Sequence, residues 1–305
     1  MYTILALDGG GVRGVFSARV LERLDALVPG GILSKVDLFA GTSTGALLAA
    51  TLARGMPPGA IVNLYQDKGP KIFAARGLLD SITHLDEVWR ANFDNTGLKA
   101  ALEEIFGTDR LSDLPVRILI PTFDLDNLDP ESLTTATRRY IYRSWKPKIL
   151  HNFPGDDSDG GVSIVDALLR TSAAPTYFPS HQGYVDGGVV ANNPSMCAVA
   201  KAVRQGVPLA DIRLISVGTG FNPHYVEGER LDWGYRQWVP NLISMLFDGM
   251  VGVPSYQCEQ LLGTRYVRVD TAYREVIGLD AVDRIPDLVE IADRVDLTEA
   301  LGWAF

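Results

Sequence analysis

Two rhythms of apolar and polar positions run through this chain. Tyr2-Thr3-Ile4-Leu5-Ala6-Leu7 is a short, largely apolar run without a polar face, the pattern of a strand buried on both sides in a parallel sheet. After a glycine-rich break, Val15, Val20, Leu21, Leu24 and Leu27 give a helix an apolar stripe, and Pro29-Gly30-Gly31 stops it. A second strand is expected over Leu38-Phe39-Ala40 and a helix from Thr44 to Arg54, broken by Pro57-Pro58. Gly59 to Lys68 and Leu98 to Phe106 read as further helices. Val116 to Ile120 and the alternating Thr134-Ala136-Arg138-Tyr140-Tyr142 carry strand signals. Gly69 to Thr96 shows no period and reads as a loop-rich excursion. Near the end, Tyr266 to Asp270 reads as a late strand and Ile285 to Leu301 as one polar amphipathic helix.

Strands alternating with helices predict an α/β fold with a mostly parallel sheet. No internal repeat or low-complexity linker divides the chain, so a single domain over residues 1–305 is expected. At 47% hydrophobic and 21% charged residues, the composition is that of a globular chain with one large core. A formal net charge of −9 argues against a nucleic-acid partner and offers no long-range attraction to an anionic membrane. Contact with lipid would have to be apolar or local. Cys197 and Cys258 lack metal-ligand spacing and form no disulfide framework. With no signal peptide and no apolar span, a cytoplasmic protein with peripheral membrane contact is the expectation. Asp156-Asp157-Ser158-Asp159-Gly160-Gly161 lacks the later glutamate of a calcium loop and reads as an exposed turn, so no metal and no cofactor is expected.

Chemistry concentrates at the breaks between elements. Gly41-Thr42-Ser43-Thr44-Gly45 joins an expected strand to an expected helix. In such an elbow the serine stands at a strained apex, and the flanking glycines remove side chains that would collide. Ser43 is therefore the candidate nucleophile, and the N–H of the next residue lies near the oxygen of an attacked carbonyl. Asp8-Gly9-Gly10-Gly11-Val12-Arg13-Gly14 follows the first strand. Its consecutive glycines can turn several N–H groups into one small volume, suited to a phosphate or to an oxyanion. The same residues satisfy a dinucleotide fingerprint, with Asp37 near the distance of a ribose-binding acid. Asp37 precedes its strand instead of ending it, which favours acyl transfer. Asp186, closing the apolar run Tyr184-Val185 before Gly187-Gly188, could approach Ser43 and take its proton. Ser43, Asp186 and His224 also stand in the chain order of a Ser-His-Asp triad. Asn192 and Asn193 are read as caps of the helix starting at Pro194, or as supports of the loop.

The motifs around Asp8–Gly14, Gly41–Gly45 and Asp186–Gly188 resemble, in content and order, those of the patatin-like phospholipase family. Ser172-Ala173-Ala174-Pro175-Thr176-Tyr177-Phe178 and Ile215-Ser216-Val217-Gly218-Thr219-Gly220 extend the resemblance to about Gly220; the remainder matches no known motif and would complete or cover the core. The resemblance implies a three-layer α/β/α fold and a lipid acyl hydrolase of the phospholipase A type. It implies a Ser-Asp dyad without histidine, with Ser43 as nucleophile and Asp186 as base, and an oxyanion hole at Gly9, Gly10, Gly11 and Arg13. The implied substrate is a phospholipid or other acyl ester at a membrane surface, and an activating partner or nucleotide second messenger is compatible with it. A non-catalytic lipid-binding scaffold is the contrasting reading, against which the intact Ser43 and Asp186 speak. Beyond Gly220, Trp233, Tyr235 and Trp238 lead into Leu242-Ile243-Ser244-Met245-Leu246-Phe247 and Asp248-Gly249-Met250-Val251-Gly252-Val253, the most apolar stretch after the core strands. That stretch suits a helix packed on the sheet or a flap touching acyl chains.

Overall fold

The computed structural model describes residues 1–72, 91–127, 143–228 and 232–304. The expected strand over 134–142 and most of the loop-rich excursion expected over 69–96 lie outside them. β1 (Tyr2–Leu7), β2 (Leu38–Gly41), β3 (Arg117–Asp124), β6 (Ile212–Val217) and β7 (Tyr266–Val269) lie parallel, with β4 (Lys146–His151) and β5 (Tyr184–Asp186) antiparallel to β3. The order across the sheet is β4-β3-β2-β1-β6-β7, with β5 pairing β3.

The period-two geometry of strands sorts the core into two halves. Leu5, Leu7, Phe39, Ile118, Ile215 and Val267 face one buried cluster, and Ile4, Ala6, Leu38, Ala40, Leu119 and Leu214 face the other. The first cluster is closed by α1 (Gly14–Leu27), α2 (Thr44–Ala53), α3 (Pro58–Ile72), α4 (Thr96–Phe106), α5 (Ile164–Thr171), α9 (Ile285–Asp293) and α10 (Thr298–Ala304). The second is closed by α7 (Ser195–Arg204) and the long α8 (Tyr235–Leu262). The short α6 (Gly188–Ala191) follows β5. Helices thus cover both faces of a mostly parallel sheet, the expected three layers, and β1 reads as apolar throughout because both of its faces are buried.

Two differences from the sequence reading have local causes. The stretch from Ile285 to Leu301 forms two helices, because the Asp296 carboxylate accepts from the N–H (2.9 Å) and hydroxyl (2.6 Å) of Thr298 and caps a fresh start. β4 was not foreseen. Its Pro147 removes a ladder donor, and such residues belong at the sheet edge, where β4 lies.

Register brings the chemistry to one rim. Leu7 stands beside Gly41 on one side and Val217 on the other, and Val217 beside Val269. The chain therefore leaves four adjacent strands at Asp8, Thr42, Gly218 and Asp270 along the same edge of the sheet. Asp37 lies at the opposite end, where its carboxylate accepts the Thr3 N–H at 2.7 Å. It cannot serve the glycine loop as a ribose-binding acid, and the dinucleotide reading loses that support.

Candidate active site

Ser43 occupies the turn between β2 and α2 with φ 53° and ψ −124°, a conformation that costs a non-glycine residue about 1–3 kcal/mol. The neighbours enforce it. A Cβ on Gly41 would come within 2.2 Å of the Gly45 carbonyl oxygen, and one on Gly45 within 2.2 Å of the Leu7 carbonyl oxygen. Both glycines are thus needed for helix and strands to approach. Thr171, fully buried at the end of α5, accepts the Ser43 N–H at 3.0 Å and donates to the Pro121 carbonyl at 2.6 Å. This brace was not singled out in the sequence; Thr171 directly precedes the Ser172–Phe178 motif.

Asp186 ends β5 opposite Thr122 of β3. A Cβ on Gly187 would meet the Pro121 carbonyl oxygen at 2.2 Å, so glycine is what lets this turn lie against β3. The carboxylate is buried. One oxygen accepts the Gly188 N–H at 2.7 Å, and the other has no partner with full hydrogen-bond geometry. Burial pushes the pKa up from 3.8 to about 7, opposed by the Gly188 N–H and by the adjacent Ser43 side chain. Ser43 and Asp186 line one pocket together with Gly10 and Gly11.

An account of backbone donors separates the loop residues selected from sequence. The Gly9 N–H is taken by the Asn192 carbonyl (3.1 Å), that of Val12 by Leu279 (2.7 Å) and that of Arg13 by Gly10 (3.2 Å). Among the described residues, the N–H groups of Gly10 and Gly11 donate to no acceptor. Both border the pocket. Arg13 does not line it: its buried side chain donates from Nε to the Gly10 carbonyl at 3.3 Å, and burial lowers its pKa. Gly9 lies close behind, since a Cβ there would sit 3.3 Å from Ser43 Cβ and 2.3 Å from Asn192 Oδ1.

The two asparagines divide the roles foreseen for them. Asn193, one residue before the N-cap Pro194, accepts the Ser195 N–H through Oδ1 (2.9 Å) at the start of α7, whereas Asn192 lines the pocket and donates to the Gly9 carbonyl at 3.4 Å. His224 is elsewhere. It is 42% exposed, 3.5 Å from Asp248, and absent from the pocket wall. His151 and His181 pair with Asp157 and Asp166. The structure brings Ser43 and Asp186 together and leaves out every described histidine.

Beyond the polar end, the pocket is walled by Leu47, Ile72, Leu98, Phe178 and Phe247, with the buried Tyr65 hydroxyl bonded to Thr44. Phe247 comes from α8, whose opposite side exposes Leu242, Met245, Leu246, Val253 and Tyr256. No helix among the described residues is long and apolar enough to cross a membrane.

A three-layer α/β/α protein with a strained serine at a strand-to-helix elbow, a buried carboxylate beside it and an apolar pocket is the class defined so far. Residues 5–199 match the patatin-like phospholipase family, and the chain belongs to it. It is 30% identical over 277 residues to a protein named cGAMP-activated phospholipase from Pseudomonas aeruginosa, covering 88% of this chain and 78% of the relative. It is 29% identical to the Bacillus subtilis protein named putative sporulation hydrolase CotR, over 98% of this chain and 96% of the relative. Patatin-like protein 4 of Arabidopsis thaliana is 27% identical, over 88% and 76%.

Proposed function

We propose that this protein is a serine acyl hydrolase that cleaves the ester bonds of glycerophospholipids. The observation that carries the reading is the shared pocket of Ser43 and Asp186: a strained, presented hydroxyl beside a buried carboxylate, at the mouth of an apolar slot. The Ser43 oxygen attacks the ester carbonyl while its proton passes to Asp186. The oxyanion formed is met by the unpaired N–H groups of Gly10 and Gly11, with Gly9 and Arg13 shaping the loop behind them. Collapse of that intermediate expels the alcohol, which takes the proton from Asp186, and leaves an acyl-Ser43. Water then attacks the acyl group, again giving a proton to Asp186, and the fatty acid leaves as the proton returns to Ser43. The apolar walls suit an acyl chain.

The exposed apolar side of α8 supports contact with an uncharged or zwitterionic lipid surface. Gln237 to Cys258 carries one charged residue, Asp248, and the same helix contributes Phe247 to the pocket. With a net charge of −9, anionic lipids are not the favoured surface.

The test is labelling with a fluorophosphonate, read together with hydrolysis of dioctanoyl phosphatidylcholine. Because a relative is named for activation by cGAMP, both assays are run with and without that nucleotide. Ser43→Ala is expected to abolish labelling and hydrolysis, and Asp186→Asn to lower kcat by orders of magnitude. His224→Ala is expected to keep full activity. Labelling that survives Ser43→Ala overturns the reading, and a folded His224→Ala protein as inactive as Ser43→Ala replaces the dyad by a triad.

A further inference from the structure

The glycine loop rests against a part of the chain that lies beyond residues 5–199, which match the family. Asp8, the residue that leads into the loop, is 2% exposed. Its two carboxylate oxygens accept from the two terminal nitrogens of Arg268, at 3.0 and 2.6 Å. Arg268 stands on β7, beyond residues 5–199 that match the family. The same guanidinium donates to Ser216 Oγ on β6 at 2.7 Å and to Asp270 at 2.5 Å. Asp270 in turn accepts the Gly220 N–H at 2.9 Å. One planar cation therefore joins the ends of β1, β6 and β7 where they emerge at the catalytic rim, and its fork matches a carboxylate in two-point geometry that an ammonium cannot reproduce.

The loop downstream rests on what this cluster holds. Thr219 donates its hydroxyl to the Gly9 carbonyl at 3.0 Å, and a Cβ on Gly10 would meet that side chain at 2.2 Å. Tyr273 donates to the Thr219 carbonyl at 2.6 Å. Gly11, at φ +58°, lies so close to Leu279 that a Cβ would sit 2.2 Å from the Leu279 carbonyl oxygen, the acceptor of the Val12 N–H. Gly10 is thus packed against Thr219, and Gly11 against Leu279.

We propose that Arg268 is a positioning residue for the reaction: through its paired hydrogen bonds to Asp8 it fixes the glycine loop so that the Gly10 and Gly11 N–H groups point at the developing oxyanion. It touches no substrate. This rests on the reading of that loop as the oxyanion hole. Burial pushes the Asp8 pKa up to about 6 even with Arg268 beside it, so loss of the cation leaves a buried carboxyl that takes up a proton and has neither of its two donors. Misplaced donors weaken binding of the transition state and leave binding of the ground state intact.

The experiment measures kcat and KM on a soluble ester, p-nitrophenyl butyrate, for Arg268→Met, Arg268→Lys, Asp8→Asn and the double variant Asp8→Asn/Arg268→Met, with Tm for each. Arg268→Met is expected to lower kcat about 100-fold, the order seen on losing an oxyanion donor, with KM within about twofold. Arg268→Lys is expected to recover only part of the loss. The double variant is expected to be no worse than Arg268→Met, since both changes break one contact. Arg213→Met is the control for a merely structural role. Arg213 lies on β6 and packs over Trp303, away from the loop, and its loss is expected to lower Tm and leave kcat unchanged. A folded Arg268→Met protein with kcat within threefold of the parent, a loss carried by KM alone, or an equal fall in kcat for Arg213→Met overturns the inference. If Arg268→Met does not fold, Arg268→Lys and Asp8→Asn decide: parental kcat in both overturns it. Ser43→Ala separates the layers. If it is inactive while Arg268→Met is fully active, only the positioning role fails; if it stays active, the hydrolase reading itself fails.

Discussion

The base that the site needs is a burden on the fold, and Asp186→Asn should expose it. In the unfolded chain this carboxyl has its ordinary pKa of 3.8, and burial in the native pocket moves it to about 7. Below about pH 4 both states hold the proton and the group is neutral in its effect. Between about pH 4 and pH 7 the unfolded chain ionises while the native one keeps its proton, so stability falls as pH rises. Above pH 7 both are ionised and the loss is complete. The two pKa values lie about three pH units apart, each equivalent to about 1.4 kcal/mol, so the ionised native protein is less stable by about 4 kcal/mol. An asparagine keeps the shape and the acceptor for Gly188 N–H and never ionises. With an unfolding entropy of about 2.1 cal/mol/K per residue, the variant of this 305-residue chain should melt about 6 °C above the parent at pH 8. The gap should close towards pH 4. Asp8, also buried with a raised pKa, is present in both proteins and cancels. Melting curves by calorimetry from pH 4 to pH 8 read this directly. A variant that melts at or below its parent at pH 8, or a gap that does not change with pH, refutes the assignment of a raised native pKa to Asp186.

The remaining expectations are smaller in scope. Ser43→Gly should relieve the strained backbone and raise Tm by about 2 °C while removing all fluorophosphonate labelling; a drop in Tm would show that the serine conformation carries no strain. As Asp186 must be ionised to accept a proton, kcat/KM should rise about tenfold per pH unit below pH 7 and level off above it, and the same profile should persist in His224→Ala. A profile already flat from pH 5 would count against Asp186 as base. On the outward face of α8, Leu246→Glu with Val253→Glu should reduce cosedimentation with phosphatidylcholine vesicles at least about fivefold; undiminished binding would remove this helix from the lipid-facing surface.

What could be read from the sequence was whatever local sterics force into a fixed residue type. Gly41, Gly45, Gly10 and Gly11 tolerate no Cβ because carbonyls or side chains lie within about 2.2 Å of where it would be, so the elbow and the loop leave a spelling that survives without coordinates. β1 was equally legible, since a strand covered on both faces must be apolar at nearly every position. Supports that join distant parts of the chain leave no such trace. Thr171 is one threonine at the end of a helix, Asn192 resembles a cap, and Arg268 sits in an alternating strand where an arginine reads as a solvent-facing residue. Only the parallel register that sets Val217 beside Leu7 and Val269 brings Arg268 to Asp8, across 260 residues. The break between α9 and α10 escaped for the opposite reason: it depends on one capping side chain, Asp296, in a stretch whose apolar period runs on without interruption. It follows that the residues which do the chemistry and those which aim it obey different rules of substitution. A glycine in the loop can be replaced only by moving backbone, whereas Arg268 could be exchanged together with Asp8 for another matched pair, so that a search guided by local motifs finds the nucleophile and the base and passes over what holds the oxyanion loop in place.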